Sequence, residues 1–329
     1  MIPRASNVLV RAPNWIGDAV ISTSFLAALR AIQPSARVTV LAHARVEPVF
    51  RHNPAVDEIV GFGGRAGLWR RSLDLRKRAF DSAYVLPLSF SSALAAALTG
   101  AARRAGYGSE HRRRLLTDAH AFDEGAFRSR HLMEDYLALL NGQGAVPPPE
   151  VFLLEGEVRW AQQWLDGRGL SGGGVVGFGP GATYGPAKRW PPDRWIELGR
   201  RLKQRGSRVL IFGSFAESRE CKEIERNIGT TAVSLAGGMD LRQSAALIAH
   251  CRAFVTNDTG VMHLAAAVGT PVVALFGSTN PSWTGPWGGR HAVLRSHEPC
   301  SPCYARTCRF GHYACLRKLS VDRVLDALG

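Results

Sequence analysis

The sequence predicts an α/β protein of two doubly wound domains of similar size. Three observations lead there. The chain has 329 residues, more than one ordinary core organises. Short apolar runs rich in Val and Leu alternate with longer amphipathic segments. That alternation breaks once, near the middle, and then restarts.

The first series opens with a buried strand at residues 8–10 and a helix at 21–32. Strands at 38–41 and 83–86 follow, then a helix at 134–140. The break holds Pro147-Pro148-Pro149, a linking helix at 158–165 and the run Ser171-Gly172-Gly173-Gly174. A boundary is expected within 145–170, giving domains 1–155 and 156–329. The second series has strands at 175–178, 209–212, 253–256 and 272–276. Its helices are expected at 194–203, 217–228, 241–250 and 261–268. Strand–helix alternation means right-handed crossovers and parallel sheets covered on both faces. Two such domains facing each other would make a cleft, with the carboxyl ends of the strands pointing into it.

Composition narrows the class. Hydrophobic residues make up 46% of the chain, enough apolar material to exclude intrinsic disorder. The 35 Gly are scattered without period, which excludes a collagen-like chain. The longest stretch free of formal charge, 259–289, is broken by Gly269, Pro271, Gly277, Pro281, Gly285 and Pro286, so no membrane span is expected. No secretory leader is expected either, and a cytoplasmic protein would keep its six Cys as thiols. The 41 Lys and Arg exceed the 27 Asp and Glu, leaving +14. That excess calls for an acidic partner: nucleic acid, an anionic membrane or a phosphorylated substrate. The dense runs Arg70-Arg71, Arg76-Lys77-Arg78, Arg103-Arg104 and Arg112-Arg113-Arg114 all lie in the first domain. They read as a solvated face or as the surface that meets that partner.

Three motifs sit where strands empty into loops. In Arg11-Ala12-Pro13-Asn14-Trp15-Ile16-Gly17-Asp18-Ala19-Val20 a strand turns into a helix. Asp18 reads as a residue favoured by the helix dipole or as a carboxylate kept ionised for general-base work. In Gly177-Phe178-Gly179-Pro180-Gly181-Ala182-Thr183-Tyr184-Gly185-Pro186-Ala187-Lys188-Arg189-Trp190-Pro191 a glycine loop precedes Lys188. Such loops align N–H groups on phosphate oxygens, and a nearby Lys adds charge. The spacing is neither a Walker A loop nor G-x-G-x-x-G. A solvent-exposed Lys on a connecting loop is the plainer reading. In Val255-Thr256-Asn257-Asp258-Thr259-Gly260-Val261-Met262-His263 strand, turn and helix follow at once, and Asp258 and Thr259 are expected to cap the helix. His263 lies one turn on, either over a bound ligand or satisfied in the core.

A fourth cluster is Cys300-x2-Cys303-x4-Cys308-x6-Cys315, near His297 and His312. C-x-x-C is half a zinc knuckle, but the later spacings lack a second half. Reduced thiols packing a short subdomain are the expected state, with structural zinc as the alternative. Cys221 and Cys251 look like core.

Together the three loop motifs resemble those of the bacterial heptosyltransferases of lipopolysaccharide inner-core assembly, in particular the type II members. They occur in the expected order along nearly the whole chain. The Cys-rich tail is similar too. The resemblance implies a GT-B architecture, two Rossmann-like domains facing across a cleft, with the final helix, 320–328, crossing back to the first domain. The first domain would bind the lipid A-linked acceptor and the second ADP-heptose. The implied reaction is inverting transfer of L-glycero-D-manno-heptose to the first heptose of heptosyl-Kdo2-lipid A. Type I enzymes and other paralogues, with different acceptors, are the alternatives.

The resemblance also assigns roles. Asp18 would be the base. Lys188 and the helix start at Thr259-Gly260 would hold the diphosphate, with Thr183 and Tyr184 on the donor loop. Tyr184 departs from the Thr of some relatives. Asp258 and Glu217 would bind sugar or ribose hydroxyls, Met239 would pack on adenine, and His263 would lie near the phosphates. Asn14, Trp15, Gly17, Arg103 and Arg112 would serve the acceptor. No cofactor or catalytic metal is implied. Nucleic acid is not an expected partner, although a non-catalytic nucleic-acid-binding protein is the rival the net charge suggests. A peripheral contact at the cytoplasmic face of the inner membrane is expected instead.

Overall fold

The computed structural model describes residues 6–142, 146–170, 174–288 and 290–329. It divides into two compact units, Met1–Phe152 and Leu153–Gly329. Residues 171–173 of the expected glycine linker lie outside the described residues.

The first unit runs β1 (Asn7–Arg11), α1 (Ile16–Ile32), β2 (Arg37–His43), β3 (Glu58–Phe62), α2 (Gly64–Leu75), β4 (Ser82–Val85), α3 (Phe90–Leu98), β5 (Arg103–Tyr107), β6 (Asp118–His120), α4 (Glu124–Ser129) and α5 (Leu132–Ala138). The sheet order is β3-β2-β1-β4-β5-β6, every pair parallel. Val8, Leu9 and Val10 are fully buried because both faces of a parallel sheet are covered. The order reverses between β1 and β4, so the β1–α1 loop flanks the switch point where open α/β sheets bind ligands. The segment after α5 is tied to α1. Ser24 Oγ donates to the Pro147 carbonyl at 2.5 Å, and the Glu150 N–H donates to Thr23 Oγ1 at 2.9 Å.

The second unit runs α6 (Glu155–Asp166), β7 (Val175–Gly179), α7 (Pro192–Gln204), β8 (Arg208–Ile211), α8 (Ser218–Ile228), β9 (Ala232–Ser234), α9 (Leu241–Ala249), β10 (Ala253–Asn257), α10 (Gly260–Ala267), β11 (Val272–Phe276), α11 (Pro281–Thr284), β12 (Ala292–Arg295), α12 (Ala314–Arg317) and α13 (Val321–Leu328). Its sheet order, β12-β11-β10-β7-β8-β9, is also parallel throughout. Here the order reverses between β7 and β10. The glycine loop and the Asn257-Asp258-Thr259 turn therefore leave neighbouring strands at one switch point.

Several elements differ from expectation. Helix α1 begins at Ile16, ahead of the apolar run at 21–32 and two residues before Asp18, where the first motif was expected to start a helix. The linking helix begins at Glu155 and belongs to the second unit, where Arg242 of α9 holds Glu157. The unit division falls three residues before the expected 155/156 boundary. Strands β3, β5, β6, β9 and β12 were not expected. Four of them are outer strands, β5 opens on Arg103-Arg104, and none has the continuous apolar run of a central strand. Helix α13 belongs to the second unit. Val321, Val324 and Leu325 stand at i, i+3 and i+4 and enter the second unit's own core beside Trp190, Trp195 and Leu316.

Candidate functional site

At the first unit's switch point β1 ends at Arg11 and α1 starts at Ile16 after Trp15, whose side chain makes no cap. Asp18 lies half-buried in the first helical turn, next to the positive end of the helix dipole. Tyr136 of α5 is fully buried behind it. Burial pushes that phenol well above its ordinary range, and the negative charge of Asp18 adds to the push. Asn14 and Trp15 face outward, Trp15 with 52% of its surface exposed, while Gly17 is buried. The loop is held from below. Arg11, 2% exposed, donates through Nη2 to Asn14 Oδ1 at 2.8 Å and lies 4.8 Å over the Phe62 ring. Burial lowers its pKa to about 9.

Arg103 and Arg112 do not join this site. Arg103 opens β5 at its amino end, the opposite edge of the sheet from Asp18. There it pairs with Asp118 and donates to the Tyr84 hydroxyl at 3.1 Å. Arg112 is fully buried. It donates through Nε to the Tyr107 carbonyl at 2.6 Å and through Nη1 to the Pro87 carbonyl, tying the loops after β4 and β5 together. Arg103 is thus committed to two side chains of its own sheet and Arg112 mainly to backbone carbonyls.

The second unit's switch point is more closely built. Lys188 Nζ stands 2.5 Å from Asp258 Oδ2, with side-chain exposures of 13% and 5%. Thr279 Oγ1 donates to the same carboxylate oxygen at 2.6 Å. A mostly buried pair is held because removing either partner strands a charge, at about 3–5 kcal/mol. Asp258 thus orients Lys188 through Oδ2. Below it, Asn257 Oδ1 accepts from the Trp190 N–H at 3.0 Å, and Nδ2 donates to the Pro180 carbonyl at 2.6 Å. This single buried amide spans both loops.

Tyr184 serves the lysine with its ring. Lys188 Nζ lies 5.0 Å from the ring centroid and the Arg306 guanidinium 5.2 Å. The hydroxyl donates to the Tyr304 carbonyl at 2.7 Å, so it is already spent. Gly185 must be glycine, because a Cβ there would meet the Arg306 carbonyl oxygen at 2.4 Å. At Gly181 a Cβ would meet the Glu217 carboxylate at 2.1 Å. That contact places Glu217 against the glycine loop. Glu217 also accepts the Ser214 N–H and hydroxyl, each at 2.8 Å.

Thr183 is exposed on the loop, and Met239 is half-buried before α9. Thr259 occupies the N-cap of α10, but no side chain caps that helix. The expected cap by Asp258 and Thr259 fails because Asp258 turns to Lys188 and Thr279 instead. Gly260 begins the helix, and His263 is 7% exposed in its first turn. Sequence reasoning missed Thr279, Tyr304 and Arg306. They lie 91–118 residues beyond Lys188 along the chain, and only folding brings them near it.

The four cysteines of the tail are free and half-buried. Among the described residues no three His, Cys, Asp or Glu donors already enclose a metal position. No described helix is long and apolar enough to cross a membrane.

Residues 68–314 match the model of glycosyltransferase family 9 (heptosyltransferase). The chain belongs to that family. It is 34% identical over 342 residues to lipopolysaccharide heptosyltransferase 2 of Escherichia coli (strain K12), covering 98% of this chain and 97% of the relative. It superposes on the structure of E. coli ADP-heptose lps heptosyltransferase II with a TM-score of 0.85 at 32% identity, covering 98% and 97% of the two chains. A shorter match, 41% identical over 128 residues, joins 37% of this chain to 34% of lipopolysaccharide heptosyltransferase 1 of Pseudomonas aeruginosa (strain PAO1). The family 9 member is a glycosyltransferase, and the expected fold class, paired doubly wound α/β units, holds.

Proposed function

We propose that this family 9 glycosyltransferase moves L-glycero-D-manno-heptose from ADP-heptose to the first heptose of heptosyl-Kdo2-lipid A. The observation that carries the reading is the Lys188–Asp258–Thr279 cluster between a glycine loop and an uncapped helix start. A lysine point charge and helix N–H groups are what a departing diphosphate needs. The full-length likeness to an E. coli heptosyltransferase 2 supports the donor and acceptor. The match to a heptosyltransferase 1 spans about a third of the chain and gives that acceptor less support.

Inversion takes one in-line displacement. Asp18 removes the proton from the acceptor hydroxyl as that oxygen attacks the anomeric carbon. The carbon–oxygen bond to the diphosphate breaks, and ADP leaves with the electron pair against Lys188 and the α10 start. Thr183 and His263 line the same donor edge, Glu217 takes ribose hydroxyls and Met239 packs on adenine. On the acceptor side Asn14, Gly17 and the exposed Trp15 ring shape the approach to Asp18.

The net charge of +14 fits this reading. Arg65, Arg70, Arg71, Arg76 and Lys77 are exposed on and after α2 and suit an anionic lipid surface at the inner membrane. Binding to anionic vesicles should weaken as salt rises. Tight, steeply salt-dependent binding to duplex or single-stranded nucleic acid would support the rival reading instead.

The test is transfer from ADP-heptose to lipid acceptors carrying zero, one or two heptoses, followed by ADP release and product mass. The expected result is addition of one heptose to the one-heptose acceptor. Preference for the acceptor with none would move the enzyme to the type I reaction.

A further inference from the structure

We propose that Arg306 is a second cation of the donor site and contacts the diphosphate beside Lys188; the assignment rests on the nucleotide-sugar donor proposed above. Charge balance at the site comes first. Lys188 Nζ stands 2.5 Å from Asp258 Oδ2, and both side chains are mostly buried. The two charges largely cancel, so a ligand meets something closer to a dipole than to a free cation. The start of α10 adds roughly half a positive charge. A sugar diphosphate carries a negative charge on each phosphoryl group and gains another on the leaving oxygen as the bond to the sugar breaks. The groups already placed there leave part of that charge unmatched.

Arg306 is built into the same corner. Its carbonyl accepts from the Ala187 N–H at 3.0 Å. A Cβ on Gly185 would meet that carbonyl oxygen at 2.4 Å, so the two backbones run in close contact just before Lys188. The nearby Tyr304 carbonyl accepts from the Tyr184 hydroxyl at 2.7 Å. On the other side the Cys303 and Tyr304 N–H groups donate to the Ser278 carbonyl at 3.1 and 2.7 Å. Ser278 precedes Thr279, whose hydroxyl holds Asp258. The segment carrying Arg306 is therefore fastened both to the Lys188 loop and to the turn that steadies its carboxylate.

The side chain follows the backbone. Its guanidinium lies 5.2 Å from the Tyr184 ring centroid, and Lys188 Nζ lies 5.0 Å from the same centroid. One ring thus gathers two cations, an arrangement that an anion near both relieves. Arg306 is exposed, and among the described residues no carboxylate pairs with it. Its charge is available where that of Lys188 is largely answered. A guanidinium fork matches phosphate oxygens bidentately, and an Arg already held by its backbone and an aromatic face loses little freedom on binding. A solvated Arg that only covered Tyr184 would hold the loop and leave the diphosphate unread.

The test measures ADP and adenosine binding by calorimetry on the full chain, for the unaltered protein, Arg306→Gln and Arg306→Lys. Arg306→Gln should bind ADP about tenfold more weakly, the scale of a charge-assisted contact, and adenosine as the unaltered protein does. Its ADP affinity should also fall less steeply with salt. Arg306→Lys, which keeps the charge, should recover part of the loss. Unchanged ADP affinity in Arg306→Gln would overturn the contact. Equal weakening of ADP and adenosine would make Arg306 a support of the loop and not a ligand of the diphosphate. Arg306→Lys binding ADP no better than Arg306→Gln would overturn the contact too. An unaltered chain that binds no ADP would instead overturn the proposed donor, and this assignment with it, so the two failures are distinguishable.

Discussion

The two switch points contrast. At the first, a half-buried carboxylate stands in the opening turn of a helix beside two outward-facing residues, Asn14 and Trp15, over a loop anchored by buried Arg11. At the second, the lysine is held by a buried carboxylate, a hydroxyl, an aromatic ring and a distant tail. On the proposed reaction, the difference teaches how one fold would divide labour. A leaving diphosphate needs charge fixed before the reaction begins, because preorganised groups lose no energy to reorientation at the transition state. A base that must meet a large lipid-linked acceptor needs access instead.

That division can be broken by substitution. Asp18→Asn should cut turnover on the order of a thousandfold, as loss of a general base does, and steady-state kinetics with saturating substrates read it. Near-normal turnover would remove Asp18 from the base role. Lys188→Ala should lower kcat and raise the donor KM together, with kcat/KM down on the order of a hundredfold. A change confined to acceptor KM would reverse the assignment of the two units. Asp258→Asn leaves Lys188 half-buried without its counter-charge. It should cost about 3 kcal/mol in urea unfolding and weaken donor binding as well. Unchanged stability with lost activity would mean the carboxylate touches substrate after all. Arg103→Gln should cost about 1 kcal/mol or less and leave the acceptor KM unaltered, because the residue lies at the far edge of the sheet. A raised acceptor KM would return Arg103 to the acceptor site.

Much of this was legible in the sequence. The central strands β1, β7, β10 and β11 are mainly apolar runs, and the segments that follow the first three carry Asp18, Lys188 and Asp258. Period and flanking glycines suffice for such strands. The outer strands β3, β6 and β12 were not legible, because half-buried strands carry mixed residues. The Arg103-Arg104 and Arg112 clusters misled for another reason. A run of cations looks the same in sequence whether it faces solvent or is consumed by Asp118 and backbone carbonyls. Asp258 was read as a cap because Asp before Thr-Gly is a common helix start. Its true partners, Lys188 and Thr279, are 70 and 21 residues away, and local pattern cannot rank such contacts.

The most direct test of the division between the two switch points is ADP affinity, measured by calorimetry on Asp18→Asn and Lys188→Ala side by side. Asp18→Asn should bind ADP as the unaltered enzyme does, while Lys188→Ala should bind it about tenfold or more weakly, the effect of losing a charge-assisted contact. Equal losses in both variants, or a loss confined to Asp18→Asn, would contradict the account.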